Sequence, residues 1–186
     1  MIVWINGPFG SGKTTLAEEL SKKISRSLIF DPEIIGSLIQ RIPFWSSKDF
    51  QDIPLWRTLV VVTLSSLQRF YPGTILVPMT LIESNNIHGI LNNLSKCDQN
   101  LIHVFLDLEE STLRQRITDQ KLFPKEDDRD QQVRSWRLNQ VDRGLAARAK
   151  MPANTIFLNS GNQSPEALSE AVLEAYKNHL AANRSR

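Results

Sequence analysis

The sequence predicts an α/β fold, a three-layer domain in which a five-stranded parallel sheet lies between helices. Short apolar runs typical of strands alternate with longer helical patterns along all 186 residues, the order that parallel strands with helical crossovers require. The first apolar run also leads directly into a glycine-rich segment that opens a helix, as a phosphate-binding loop does. We therefore predict one domain covering residues 1–186.

The first half of the chain supplies three strands, at residues 2–6, 27–30 and 74–79. A helix at 12–25 places Leu16, Leu20 and Ile24 on one face. Pro32 suits the first position of a second helix, which ends before Pro43. A mostly apolar helix at 54–70 is followed by a Tyr-Pro-Gly turn at 71–73.

The second half continues the alternation with strands at 101–106 and 155–158. Helical patterns cover 84–96, 107–121 and 129–150, and a last helix begins at Ser164 and Pro165. The polar residues 122–128 separate two of these helices, so we predict a small polar lid over about 117–131.

Residues 7–14 read Gly-Pro-Phe-Gly-Ser-Gly-Lys-Thr and match the phosphate-loop pattern G-x-x-x-x-G-K-[ST]. Glycines let the backbone N–H groups converge on an anion at a helix N-terminus, where the helix dipole is positive. Lys13 would neutralise the β- and γ-phosphates and Thr14 would bind Mg²⁺, so the predicted cofactors are ATP and Mg²⁺. The predicted nucleotide-binding residues of the loop are Gly7, Phe9, Gly10, Ser11, Gly12, Lys13, Thr14 and Thr15.

Charge and composition exclude several classes of partner. The formal net charge is +2 and the basic residues are spread along the chain, so we expect no nucleic-acid partner. Cys97 is the only cysteine, and no charged-then-apolar leader precedes the first strand, which together indicate a cytoplasmic protein. The longest apolar stretch, 59–64, is far shorter than the roughly 20 residues that cross a bilayer. The oligomeric state stays undetermined.

The carboxyl ends of parallel strands are where ligands bind in open α/β sheets. Asp31 ends the second strand and is predicted to bind the acceptor hydroxyl and take its proton; the alternative is a cap on the following helix. Thr80 ends the third strand, which carries no acidic residue. Mg²⁺ would then rely on Thr14, phosphates and waters, which favours a kinase over an ATP-hydrolysing machine.

Arginines flank the predicted lid. Arg114 and Arg116 precede it, and further arginines follow in the helix predicted at 129–150. At about 100° per residue, one face of that helix carries a set of polar and aromatic residues that we expect to meet the ligand, with a solvated face as the alternative. The set is Arg129, Trp136, Gln140 and Arg143.

Arg57 begins the apolar helix at 54–70 and is a candidate for binding a polar or anionic substrate group, or else an exposed first-turn arginine. Nearby aromatic residues predict an apolar or stacking pocket, with core packing as the alternative. They are Phe44, Trp45, Phe50 and Trp56. The three histidines and Cys97 show no metal-ligand spacing.

Several segments together resemble a known group of enzymes. They are Met-Ile-Val-Trp-Ile-Asn-Gly at 1–7, Phe-Asp-Pro-Glu at 30–33, Pro-Leu-Trp-Arg at 54–57, Ile-Leu-Val-Pro-Met-Thr at 75–80 and Gln-Val-Asp-Arg at 140–143. With the loop and the lid, they resemble the nucleoside monophosphate, shikimate and gluconate kinase group, and within it the bacterial tunicamycin-resistance ATP-binding proteins. The resemblance implies a P-loop kinase-like fold, ATP binding and protection against tunicamycin, a nucleoside antibiotic that bears a fatty acyl chain.

The resemblance also assigns lid residues. By similarity to nucleoside monophosphate kinases, Arg116 is the arginine that stacks near the adenine. The second arginine expected four residues later is replaced by Gln120, and Arg137 matches a post-lid arginine with an offset of one position. Together with the residues predicted above, the predicted catalytic residues are Lys13, Asp31, Arg116 and Arg137, and the predicted acceptor-binding residues are Asp31, Arg57, Thr80, Trp136, Gln140 and Arg143.

Three functions follow as hypotheses. The first is an ATP-dependent kinase that phosphorylates a hydroxyl of a small nucleoside-like molecule, with tunicamycin as the candidate acceptor. The second is a non-catalytic ATP-dependent protein that sequesters the drug, and the third is a kinase for another metabolite. For a peripheral membrane contact, residues 167–180 are the candidate amphipathic helix, with packing of Leu168 and Val172 on the sheet as the alternative.

Overall fold

Five parallel strands form the central sheet in the computed structural model, which describes residues 1–43, 47 and 49–184. The strands are β1 (Ile2–Asn6), β2 (Ser27–Ile29), β3 (Thr74–Pro78), β4 (Ile102–Asp107) and β5 (Ile156–Asn159). Their order is β2-β3-β1-β4-β5, and every pairing is parallel. The predicted fold class and strand number are confirmed.

Helices cover both faces of this sheet. They are α1 (Lys13–Lys23), α2 (Glu33–Gln40), α3 (Pro54–Phe70), α4 (Ser84–Cys97), α5 (Glu110–Asp119), α6 (Asp127–Asn139), α7 (Val141–Ala146) and α8 (Pro165–Arg184), with 3₁₀ turns at Phe50–Asp52 and Ala147–Lys150. Because side chains alternate along a strand, Ile2 and Trp4 of β1 pack toward α3 and α4, while Val3 and Ile5 pack toward α1 and α8. Two cores therefore sandwich the sheet.

Among the described residues, no helix has both the length and the apolar character needed to span a membrane. Leu168 and Val172 of α8 are buried in the core beneath α1. The alternative reading of residues 167–180, packing on the sheet, is therefore the one that the fold supports.

The prediction of one continuous helix at 129–150 is wrong, because the chain bends at Gln140. The bend lets Val141 join the small core of Leu108, Leu113 and Ile117. It also brings Gly144 against the phosphate loop, where an added Cβ would lie 3.0 Å from Pro8 Cβ. Tertiary burial of α7 thus overrides the continuous helical pattern.

Candidate active site

The glycine-rich segment curls between β1 and α1, with positive φ at Gly7 (141°), Gly10 (87°) and Gly12 (96°). An added Cβ at Gly7 would lie 2.8 Å from the Leu106 carbonyl oxygen, so a side chain there would collide with the backbone at the end of β4. An added Cβ at Gly12 would meet nothing within 4 Å, because the loop is open on this side. The backbone therefore forms a concave cradle at the N-terminus of α1, where the helix dipole favours an anion.

Lys13 lies in the first turn of α1 and folds back over the loop. Its Nζ donates to the carbonyl oxygens of Gly7 (3.0 Å) and Pro8 (2.7 Å). Burial, with a smaller contribution from the cation of Arg137, lowers the pKa of Lys13 from 10.5 to about 7, and Glu33 opposes the shift. The ammonium group is thus held where a further anion would stabilise its charged form.

The cradle opens into a cavity of about 560 Å³. Its walls come from the loop, the start of α2, the end of β3, the segment around Gln120, α6 and the start of α8. The lining includes Phe9–Leu16, Glu33, Thr80, Arg116, Gln120, Leu122, Arg137, Ser160 and Gln163. Sequence elements far apart along the chain therefore contribute cations and one carboxylate to a single cavity.

The loop has a buried hydroxyl beneath it and an open side toward the cavity. Ser11 is fully buried, yet its Oγ has no hydrogen-bond partner among the described residues. The loop fits a nucleotide tail through its open side at Gly12 and the backbone N–H groups at the start of α1. Thr14 is exposed beside it. No group of three or more His, Cys, Asp or Glu side chains among the described residues could hold a metal, so a Mg²⁺ ion would share Thr14 with phosphate oxygens and waters.

Two arginines, from α5 and α6, line the cavity. Arg116 Nη2 donates to the carbonyl oxygen of Ser160 (2.7 Å), which fixes its guanidinium where Ser160 also lines the cavity. Arg137 Nη1 donates to Gln120 Oε1, and burial lowers the pKa of Arg137 from its ordinary value. Gln120, the departure from the kinase pattern, therefore holds the second arginine.

Two carboxylates begin α2, and the structure gives them different positions. Asp31 Oδ1 accepts from the backbone N–H of Glu33 (2.8 Å), so Asp31 makes the helix-start contact that the sequence left as the alternative. Asp31 and Glu33 are both exposed to solvent, and of the two only Glu33 lines the cavity. Burial, and secondly the charge of Asp31, raises the pKa of Glu33 from 4.5. Sequence reasoning missed Glu33, although its place two residues after Asp31 was a usable signal.

Comparison with known sequence families agrees with this geometry. A family model described as an AAA domain (AAA_18) matches residues 3–137, which is most of the chain and includes the phosphate loop, Glu33, Arg116 and Arg137. The chain belongs to this AAA domain family. A comparison with curated proteins found no match.

Solved structures share the fold of this AAA domain. The tunicamycin resistance protein of Deinococcus radiodurans has a TM-score of 0.69 at 21% identity, with 95% of each chain covered. A sugar kinase from Janibacter has a TM-score of 0.65 at 17% identity, covering 95% of this chain and 94% of that one. Shikimate kinase from Bacteroides thetaiotaomicron has a TM-score of 0.58 at 12% identity, covering 95% of this chain and 97% of that one. The predicted resemblance is confirmed for the P-loop kinase fold.

The other predicted acceptor residues of the AAA domain take separate positions. Thr80 lines the cavity, and its Oγ1 donates to the Gly7 carbonyl oxygen (3.0 Å), which ties the end of β3 to the loop. Trp136 packs edge-on against Phe9 with ring centroids 4.9 Å apart. Gln140 accepts from Arg143 Nη1 (2.8 Å). Arg57 Nη1 donates to Asn86 Oδ1 (3.3 Å) and lines two other cavities, away from the phosphate loop.

Four of the arginines in and around the predicted lid pair with acidic residues. Arg114 pairs with Glu110 and Asp142, Arg129 with Glu126, Arg134 with Asp130, and Arg143 with Glu83. Gln140 and Arg143 contact each other, and the face predicted for them with Arg129 and Trp136 is divided between two helices, because α6 ends at Asn139. Arg116 and Arg137 are the two predicted arginines that line the phosphate-loop cavity.

The predicted aromatic pocket resolves into core packing where the structure describes it. Trp56 is fully buried, its Nε1 donates to the Pro32 carbonyl oxygen (3.1 Å), and its ring lies 5.3 Å from that of Phe50. Phe44 and Trp45 lie outside the described residues. Trp56 thus supports the turn that carries Asp31 and Glu33.

Proposed function

We propose that this protein is an ATP-dependent phosphotransferase that transfers the γ-phosphoryl group to a hydroxyl of a small nucleoside-like acceptor, with tunicamycin as the acceptor to test first. The observation that carries the proposal is the single cavity shared by the phosphate loop, Lys13, Arg137 and the Glu33 carboxylate. A carboxylate in this cavity can hold the waters of a Mg²⁺ ion or an acceptor hydroxyl, and the proposal assigns Glu33 the second role. A kinase needs such a carboxylate to orient the acceptor hydroxyl and accept its proton.

The roles follow from the positions of the side chains. ATP with Mg²⁺ supplies the phosphoryl group, and the loop amides, Lys13 and Thr14 would bind it. The acceptor oxygen forms a bond to the γ-phosphorus as the bond to the β-phosphate oxygen breaks and ADP leaves. Glu33 takes the hydroxyl proton, and Asp31 holds the turn that presents Glu33. Lys13 and Arg137 stabilise the charge on the transferring group, while Arg116 binds on the adenine side.

The direct test is mass spectrometry of tunicamycin after incubation with the protein, Mg²⁺ and ATP. The expected product carries one added phosphoryl group, and the Lys13→Ala variant should give none because its loop lacks the cation for the phosphates. Unmodified drug, with ATP binding intact, would contradict tunicamycin as the acceptor.

A kinase for another metabolite is the second candidate, since sugar and shikimate kinases share this fold. Measuring ADP release with a panel of sugars, sugar acids and nucleosides distinguishes a metabolite kinase from a tunicamycin kinase. A protein that sequesters the drug would need an apolar pocket for it, and Trp56 of the predicted aromatic pocket is buried in the core. Drug resistance of cells carrying Asp31→Asn or Glu33→Gln separates catalysis from sequestration, because a binder needs no base.

A further inference from the structure

The phosphate loop carries one aromatic side chain among its glycines. Phe9 is half-buried and lines the cavity. Its ring centroid lies 5.7 Å from Lys13 Nζ and 5.9 Å from Arg137 Cζ. Both distances are within the roughly 6 Å at which the negative face of an aromatic ring attracts a cation. Phe9 therefore lies beside the two cations that the proposed function places at the transferring phosphoryl group.

These two cations are like charges in one cavity. The charge of Arg137 is among the causes that lower the pKa of Lys13, so the two groups repel each other. Lys13 is held by the carbonyl oxygens of Gly7 and Pro8, and Arg137 is held by Gln120. The ring of Phe9 is an attractive contact that both cations share. It therefore opposes their mutual repulsion.

Trp136 holds the ring of Phe9 in turn. The two rings pack edge to face, with centroids 4.9 Å apart and an angle of 63° between their planes. Aromatic pairs favour this arrangement, in which the positive edge of one ring meets the negative face of the other. Trp136 directly precedes Arg137 in α6. The ring contact therefore holds the backbone that carries Arg137 beside the phosphate loop.

The loop residues on either side of Phe9 contact two further helices. An added Cβ at Gly10 would lie 2.9 Å from Ile117 Cγ1 in α5, and Gly144 of α7 lies against Pro8. Three consecutive loop residues thus pack against α7, α6 and α5 in turn. Close packing of this kind leaves little room for one element to move without the others. The position of α6 relative to the loop is therefore a defined feature of the fold.

We propose that Phe9 is a positioning residue that holds Arg137 at the γ-phosphate of the bound nucleotide, with Trp136 as its support. This inference rests on the nucleotide site of the proposed function. It gives a role to a side chain that the phosphate-loop pattern leaves unspecified. Because the ring holds the guanidinium in place before the nucleotide binds, less side-chain freedom is lost on binding. A cation fixed in advance also stabilises charge on the transferring group more effectively.

The test measures affinities for ADP and for a non-hydrolysable ATP analogue by calorimetry in the presence of Mg²⁺. An arginine at the γ-phosphate adds affinity for the triphosphate alone, so the ratio of the two affinities reports the position of Arg137. Phe9→Leu keeps an apolar side chain but removes the ring, and should lower this ratio roughly two- to five-fold. Trp136→Ala should lower the ratio as well. Phe9→Tyr, which keeps the ring, should retain it.

Two controls separate positioning from general damage to the loop. In the Arg137→Ala background the ratio should already be low, and Phe9→Leu should lower it no further. Phe157→Leu on β5 removes a matched contact between a ring and a cation, because Arg148 Cζ lies 4.5 Å from the Phe157 ring centroid. Since Phe157 is outside the phosphate loop, this variant should keep the wild-type ratio.

The outcomes separate this inference from the kinase proposal. A lower ratio in both Phe9→Leu and Trp136→Ala supports the inference even if no acceptor is phosphorylated. Equal losses of ADP and triphosphate affinity would assign Phe9 to the shape of the loop and overturn the inference, as would a further loss in the Arg137→Ala background. An unchanged ratio together with phosphoryl transfer overturns it and leaves the kinase proposal intact. Wild-type protein that binds neither nucleotide also overturns it.

Discussion

Asp31 Oδ1 accepts a hydrogen bond from the backbone N–H of Glu33, so the carboxylate outside the cavity fixes the backbone that carries the carboxylate lining it. The two residues therefore have separable roles, one positioning and one chemical. Asn keeps the carboxamide oxygen that can accept this hydrogen bond, and Ala does not.

We predict that Glu33→Gln lowers kcat by about 100-fold or more with little effect on ATP affinity, because general-base catalysis typically contributes about 10²- to 10⁴-fold. Asp31→Asn should reduce kcat much less than Asp31→Ala. Steady-state kinetics of the three variants decide the point. If Asp31→Asn were as damaging as Glu33→Gln, Asp31 would be the base, as the sequence alone predicted.

The pKa of Lys13 predicts proton uptake on nucleotide binding. Burial and Arg137 lower this pKa to about 7, and the phosphates of a bound nucleotide would raise it again. At pH 8.5 the free protein therefore carries a mostly neutral Lys13, and binding should take up about one proton. Nucleotide affinity should fall as the pH rises above about 7.

Calorimetry of ATP binding in two buffers of different ionisation enthalpy measures this uptake. At pH 6 the uptake should vanish, because Lys13 is already protonated, and this gives an internal control. Equal apparent enthalpies in both buffers at pH 8.5 would show that Lys13 is charged before the nucleotide arrives.

The contact of Gln120 with Arg137 predicts a positioning effect on catalysis. Gln120→Ala frees the guanidinium, so kcat should fall about ten-fold with a small change in the KM for ATP, since the remaining phosphate ligands are intact. Gln120→Glu, which still accepts the hydrogen bond, should recover most of the rate. Gln115→Ala is the control, because Gln115 is exposed on α5 and contacts Asp119. A rate loss in both alanine variants would point to general damage to α5.

His103 predicts acid sensitivity of the fold. Its Nδ1 shares a hydrogen bond with Thr155 Oγ1 (2.8 Å), and its Nε2 is buried with no partner among the residues that the structure describes. Burial lowers the pKa of His103 from 6.5 to about 4. The unfolded chain therefore binds the proton first, and the stability from neutral His103 is complete above pH 6.5 and is lost as the pH falls toward 4.

We expect protonation linked to His103 to lower the free energy of unfolding by about 2–3 kcal/mol when the pH falls from 7 to 4.5. His103→Gln, which does not titrate, should lose correspondingly less over that range. Urea unfolding at both pH values measures the difference, with His88→Gln on the exposed face of α4 as the matched control. The same acid loss in wild type and His103→Gln would assign the sensitivity to other groups.

The sequence by itself determined the phosphate loop, the alternation of strands and helices and the parallel sheet. These features depend on local rules: the period of apolar residues, the backbone freedom of glycine, and the placement of proline at helix starts. Residues 7–14 and the five strands could therefore be predicted without knowing which residues they contact in the folded chain.

Only the tertiary structure decided which side chains share the cavity. Glu33, and not Asp31, lines the cavity. Arg116 and Arg137 also line it, while other arginines form ion pairs. The chain bends at Gln140 so that Val141 can be buried. Each outcome depends on distances between residues far apart in the chain. The packing of whole helices and strands decides which charged side chains lie close enough to form an ion pair. The local periodicity of the sequence does not predict these distances.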